Sequence, residues 1–312
     1  MGRGAATRVA VPWQAQYTLL ASIWGLSFML MKIGNETLDP IQVSFARMIV
    51  GAVVLGAAVL VKREQLPRGF RLWGHVLVVS ALFNSVPMSL YAWSETRVSS
   101  IVAGIWNGMT PIFVLMVVLA AFPEERPTRE RVAGIMVGFV GVVVVLGPWS
   151  GLGGQSLAGN LAALAAALCY GLGYPYMRRY VATTRESGLA LSFAQLVCAT
   201  VSLAVVTPFV TAAPSHVSAR SLAAVAALGA LGTGFAYVLQ YAIVRQVGTT
   251  TAATVTYVIP VVATIAGLVF LGESLRWNEP VGAVVVLAGV ALTQGRLRYV
   301  PGRTRPSAAG KP

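Results

Sequence analysis

The sequence predicts an all-α integral membrane protein of ten transmembrane helices, arranged as two inverted five-helix repeats. Three observations predict it. Apolar residues make up 56% of the 312-residue chain and charged residues only 11%, against about 45–50% and about 25% in soluble domains. Mean hydropathy is +0.74. Ten apolar stretches of spanning or near-spanning length follow one another, and Lys and Arg fall mostly on one side of them. So few charges cannot cover a globular surface, which excludes an ordinary soluble enzyme and a disordered chain.

The stretches run at about 14–33, 41–61, 72–92, 99–121, 130–147, 157–177, 188–209, 221–241, 249–271 and 279–295. About 20 apolar residues cross a bilayer as a helix. No period-2 alternation marks a membrane barrel, and backbone polar groups in lipid must be satisfied internally, so the stretches are expected as helices. The first follows Arg3 and Arg8 and ends at Lys32 and Gly34-Asn35-Glu36. It is longer than the apolar core of a cleaved signal peptide and is expected to be a retained span.

With the N-terminus placed inside, the inner segments hold eighteen of the 23 basic residues, among them Lys62, Arg63, Arg68, Arg71, Arg126, Arg129, Arg131, Arg178, Arg179, Arg185 and Arg245. The outer segments hold four: Lys32, Arg97, Arg220 and Arg276. This is the positive-inside pattern, and it accounts for the net charge of +13 without nucleic acid. It predicts a multi-pass protein of the plasma (inner) membrane with both termini cytoplasmic. Trp13, Trp73, Trp93, Trp149 and Trp277 fall at span ends, where amphipathic rings suit the interface. Trp24 and Trp106 fall near mid-membrane.

The second half repeats the first. Ser44-Phe45-Ala46-Arg47 aligns with Ser192-Phe193-Ala194-Gln195, Gly134 and Gly141 with Gly282 and Gly289, and Pro111 with Pro260. A five-span repeat is odd, so the halves must lie in opposite orientations, as in many secondary transporters. The expected units are 14–147 and 157–297, followed by a cytoplasmic tail, 298–312, expected to be disordered.

In order along the chain, Trp24-Gly25 with Lys32, Pro40 with Arg47, Pro111, Ala242 to Gly248, Pro260, Leu271-Gly272-Glu273 and Gly282 to Gly289 resemble the two repeats of the EamA family, in the drug/metabolite transporter superfamily. The resemblance covers about residues 14–297. It implies ten helices, cytoplasmic termini and a central cavity lined from both halves. It also implies export or exchange of small metabolites, amino acids among the known classes. It does not fix the cargo.

Arg47 is the one charge well inside a span, and such a charge is a functional hypothesis by default. It could anchor a substrate carboxylate or pair with Glu36 or Glu95 in a gate; equally, it could snorkel or cap helix carbonyls. Asn84, Asn107, Gln195 and Gln240 place amides within spans, for ligand reading or for helix–helix glue. Asn107 lies one turn before Pro111, and Pro111 with Pro260 forms a matched pair of helix breaks, the usual sequence pointer to a transporter site. Trp24, Trp106, Tyr91, Tyr170, Tyr174, Tyr237 and Tyr257 supply aromatic surface that could stack on a ligand or fill a core. Gly134-x-x-x-Gly138 and Ala162 to Ala167 are small-residue helix contacts, expected within the chain more than between copies of a monomer or homodimer.

Catalytic machinery is not expected. Asp39 is the only aspartate, His75 and His216 lie near span ends, and neither HExxH nor GxxxxGK[ST] occurs. Cys169 and Cys198 read as small buried side chains rather than a disulfide or metal site. No cofactor or metal is called for. The expected partners are a small-molecule solute and the lipid bilayer. The reading is a secondary transporter working by alternating access. A channel-like or accessory membrane subunit, or a membrane-embedded enzyme, remain the alternatives. All acidic residues fall in loops or at span edges. Exchange or downhill export is therefore expected, with Glu95 and Glu273 the nearest candidates for coupling.

Overall fold

The computed structural model describes residues 12–121, 128–147, 156–181, 183–184 and 186–293. Arg3, Arg8, Arg126, Arg185, Trp149 and the tail 298–312 lie outside them. Among the described residues all regular structure is helical. The first half contains α1 (Trp13–Gly34), α2 (Pro40–Lys62), α3 (Phe70–Ser80), α4 (Val86–Glu95), α5 (Ser100–Asn107), α6 (Thr110–Ala121) and α7 (Arg129–Leu146). The second contains α8 (Leu157–Tyr180), α9 (Gly188–Val210), α10 (Ala219–Gly229), α11 (Ala236–Ala253), α12 (Ile259–Phe270) and α13 (Asn278–Thr293). A π-helical turn, Ala81–Ser85, joins α3 to α4 without a loop, and another, Ala230–Phe235, joins α10 to α11.

Among the described residues, seven continuous helical stretches are long and apolar enough to cross a membrane: Trp13–Gly34, Pro40–Lys62, Phe70–Glu95, Ser100–Ala121, Leu157–Tyr180, Gly188–Val210 and Ala219–Val247. Val255–Phe270 and Asn278–Leu292 are shorter apolar helices. The outward face is apolar too: Phe209 is 86% exposed, Val205 61% and Val269 68%. A soluble protein does not present such a surface to water, and lipid is its natural solvent.

Helix starts follow the local sequence. Ser99, Thr128, Ser156, Ser187 and Ser218 each accept a hydrogen bond from the backbone N–H three residues on, at 3.0–3.3 Å. These hydroxyls cover amides that the first turn of a helix leaves without a partner. Pro40 opens α2, where its missing N–H costs nothing.

One boundary differs from the sequence reading. A loop was expected around 242–248, with Arg245 in it; α11 instead continues unbroken to Ala253. Nothing in Tyr241-Ala242-Ile243-Val244-Arg245-Gln246 breaks a helix, and a lone Gly248 does not suffice. Arg245 lies over the Tyr241 ring at 5.8 Å.

The core forms where helices from both halves meet, α1 against α10, α11 and α12, and α2 against α9. The closest approach is α7 against α13. A Cβ at Gly289 would sit 2.5 Å from the Gly138 amide nitrogen, and one at Gly282 would sit 2.9 Å from the Gly141 carbonyl. The Gly134-x-x-x-Gly138 contact is therefore made within the chain. Leu at position 289 has no room, and overpacking costs about 1–3 kcal/mol. Gly289→Leu is expected to lower the apparent melting temperature in fluorescence-detected size-exclusion, whereas Gly74→Leu, with open space around it, leaves it unchanged.

Candidate functional site

The site grows from helix interruptions. A π-turn inserts a residue into a helix and redirects its side chains and carbonyls, and such turns gather at functional sites. The turn Ala230–Phe235 brings the Thr233 hydroxyl and the Gly232 carbonyl to the Arg47 guanidinium. Arg47 Nε donates to Thr233 Oγ1 at 2.7 Å, Nη2 to the Gly232 carbonyl at 3.4 Å, and Nη1 contacts Met88 Sδ at 3.1 Å. Gly232 lets the turn pack closely on α1, since a Cβ there would stand 2.7 Å from Ser27 Oγ. Arg47 is only 4% exposed. It has no carboxylate partner among the described residues. Glu36, one of its expected gate partners, pairs instead with Arg220 at 3.3 Å, where both side chains are exposed.

The turn Ala81–Ser85 mirrors this arrangement across the molecule. It carries Asn84, whose Oδ1 accepts from the Tyr237 hydroxyl of α11 at 2.8 Å. The other two interruptions are the break between α5 and α6 and the 3-10 turn Thr254–Tyr257 before α12. Pro111 and Pro260 are each the second residue of the helix that restarts, where proline's fixed φ and lost N–H fit.

Between these elements lies a cavity of about 180 Å³. An apolar cavity of roughly 150 Å³ holds benzene, so the space suits a small organic solute. Of the residues singled out in the sequence, Trp24, Arg47, Tyr91, Asn107, Gln195, Tyr237 and Gln240 line it, with Tyr170 and Tyr174. Trp106 and Asn84 do not. Trp106 is 1% exposed and donates its indole N–H to Asn160 Oδ1 at 2.7 Å. Asn84 stands behind Tyr237 as its acceptor. Pro111 and Pro260 are also off the wall, but their neighbours Thr110 and Ile259 are on it. Tyr257 packs against the main core.

The wall is aromatic and amphipathic. Phe28 meets Tyr91 edge-to-face with centroids 5.5 Å apart, and Phe83 meets Tyr174 likewise at 4.8 Å. The Asn107 amide donates to the Tyr91 hydroxyl at 3.3 Å. Among the lining residues Arg47 is the one charge and no carboxylate is present.

Sequence reasoning missed Met31, Met88, Met177, Thr110, Ser192, Thr233 and Thr256, all on this wall. A signal for several existed. Lining positions recur 149 residues apart: Met88 with Tyr237, Tyr91 with Gln240, Asn107 with Thr256, and Thr110 with Ile259. Asn84 corresponds to Thr233 in the same way, and the two π-turns begin at that same spacing. Carrying Tyr237, Asn84 and Asn107 across that spacing leads to Met88, Thr233 and Thr256.

The family model for EamA-like transporters matches residues 13–147 and 157–294, nearly the whole chain. The chain belongs to the EamA-like transporter family. It is 27% identical to an uncharacterised transporter of Archaeoglobus fulgidus, over 87% of this chain and 95% of that protein. It is 28% identical to a protein of Streptantibioticus cattleyicolor named a probable terminal-alkyne amino-acid exporter, over 90% and 94% of the two chains. It is 24% identical to a Salmonella typhimurium protein named a probable amino-acid metabolite efflux pump, over 87% and 91%. A crystal structure with 20% identity superposes with a TM-score of 0.65, over 93% of this chain and 99% of that one, and shares its fold. Multi-pass membrane placement and a transporter's architecture follow from this membership.

The wall can be mapped with thiol chemistry. With Cys169 and Cys198 replaced by serine, Ser192→Cys is expected to react with a small water-soluble methanethiosulfonate. Ser80→Cys, at a site 0% exposed whose native hydroxyl is bonded to the Gln195 carbonyl at 2.7 Å, is expected to stay unmodified. Mass spectrometry of the intact protein reads both.

Proposed function

We propose that the protein is a secondary transporter of the plasma membrane that exports or exchanges small organic solutes, amino acids and related metabolites, by alternating access. The observation that carries this reading is Arg47: a buried cation on the wall of a solute-sized cavity, resting on neutral acceptors with no carboxylate bonded to it among the described residues. A guanidinium presents a fork of donors that matches a carboxylate in bidentate fashion. The tyrosines and Phe28 around it supply aromatic faces for an apolar side chain or for an ammonium group. Two relatives bear names that refer to amino-acid export or efflux, which supports the same class of cargo.

The proposed architecture is ten membrane crossings in two inverted five-helix repeats, with both termini cytoplasmic. The eighteen-to-four division of basic residues supports the orientation. The recurrence of lining residues and π-turns at one spacing supports the repeat. In a carrier of this kind the halves rock about a midplane site built where helices are interrupted. Arg47, Asn107, Trp24, Tyr91, Gln195, Tyr237 and Gln240 are proposed to line the solute path, with Asn84 holding Tyr237 in place.

Counterflow of labelled L-phenylalanine into proteoliposomes tests the reading. Wild-type protein is expected to accumulate the label. A hydrogen bond to a charged group contributes about 1.5–3 kcal/mol, so Arg47→Gln is expected to lower apparent affinity by roughly tenfold or more. Competition by L-phenylalaninamide, which lacks the carboxylate, should be weak against wild type and insensitive to the substitution. Equal affinity of the variant for L-phenylalanine, at wild-type yield and melting temperature, would remove Arg47 from the site.

A further inference from the structure

Glu95 ends α4, one helical turn beyond the wall residue Tyr91 and itself behind the wall. It is 0% exposed, and neither carboxyl oxygen has a hydrogen-bond partner among the described residues. Two cations are near enough to interact with it electrostatically, Lys32 on α1 and Arg47 on α2, yet neither pairs with its carboxyl group. The Lys32 ammonium donates to the backbone carbonyls of Glu95 and Val98 at 2.5 and 2.8 Å. Arg47 rests on Thr233 and Gly232.

Glu273, in the loop after α12, shows what a satisfied carboxylate looks like in the same neighbourhood. It accepts from the Ser100 amide at 2.9 Å, the Ser100 hydroxyl at 2.8 Å and the Ile101 amide at 3.3 Å. These bonds hold it at the start of α5. Glu273 adds a like charge facing Glu95. The other elements against α4 bring no further ionisable group to this end: α5 has none, the turn Ala81–Ser85 has none, and α8 has none before Cys169.

A buried carboxylate without hydrogen bonds or a counter-ion is among the least favourable groups a protein can hold. Two cations are at hand and neither is drawn to it, and a proton on the carboxyl group would remove the unpaired charge. We propose that Glu95 is the proton site of the transporter, and that a proton on Glu95 is exchanged for each exported amino acid. The inference rests on the transport reading above. The carboxyl group needs one positive charge, and two ligands can supply it. One is a proton. The other is the ammonium group of a solute whose carboxylate sits on Arg47. Because the two compete, the site carries one or the other on each passage. A proton taken from outside water forms the O–H bond and displaces the ammonium. On the inner side that bond breaks, the proton leaves to water, and the next solute binds.

Two measurements test this. Infrared difference spectroscopy of the purified wild-type protein against Glu95→Gln, at neutral pH without solute, is expected to reveal the carbonyl stretch of a protonated carboxylic acid. The band should disappear from the wild type as pH is raised. Gln is close in shape to the neutral acid, so the variant is expected to fold with an unchanged melting temperature. A flat difference spectrum overturns the proposal. In proteoliposomes loaded with labelled L-phenylalanine, acidifying the outside is expected to speed wild-type efflux at least tenfold, and Glu95→Gln should lose that response. Wild-type efflux indifferent to the gradient overturns the coupling and leaves the transport reading standing. No L-phenylalanine flux in any preparation overturns both.

Discussion

A guanidinium inside a membrane protein must have its donors covered, and the centre of this molecule is organised around that demand. Arg47 lies too deep in α2 for bulk water to satisfy it, at 4% exposure. Two of its partners come from the other half of the chain, a hydroxyl and a carbonyl in the π-turn Ala230–Phe235, and the third is Met88 Sδ. An ordinary α-helix keeps its carbonyls for its own amides. The departure from regular helix at 230–235 is what frees Gly232 and aims Thr233. The charge and the turn therefore explain each other, and neither is economical alone.

The same logic extends to the remaining interruptions. Four breaks in otherwise apolar helices surround one cavity, and each places a polar group at its wall or just behind it: Asn84 from the first π-turn, Asn107 before the α5–α6 break, Thr233 from the second π-turn, Thr256 from the 3-10 turn. Rigid packing holds them there. The glycine contact of α7 with α13 lies away from this centre and brings backbones together where no side chain is needed. Packing in membranes gains little from the hydrophobic effect and much from such close approach. Stability and function are thus drawn from different parts of the sequence, small residues at the periphery and broken helices at the centre.

The helical segments were legible because twenty-residue apolar runs and serine or threonine caps have few other readings. The 149-residue spacing at which lining positions recur is the one that separates Pro111 from Pro260 in the sequence. The π-turns were not. They leave hydropathy unchanged and carry no obligatory residue, and Ala230-Leu231-Gly232-Thr233 reads like any apolar helix. Intramembrane polarity and charge found Arg47, Asn107, Gln195 and Gln240, whereas Met88, Ser192 and Thr233 are too ordinary in apolar runs to draw notice. Trp106 was singled out for its depth and proves to be core, its N–H taken by Asn160. Depth in a span says that a polar tip needs a partner, and the partner can equally be a neighbouring helix. The loop expected near Arg245 failed because one arginine and one glycine do not end a helix with so many helix-compatible neighbours.

The central claim is that a carboxylate-bearing solute binds at Arg47 in the central cavity. The most direct measurement is thermal stability of the purified wild-type protein in detergent, across matched pairs of solutes that differ only in carrying a carboxylate or its amide. A ligand that binds the folded state raises the melting temperature by mass action. The account predicts shifts for carboxylates of one size class and none for their amides. Equal shifts within every pair would contradict it, because the one charge on the cavity wall would then have no part in recognition.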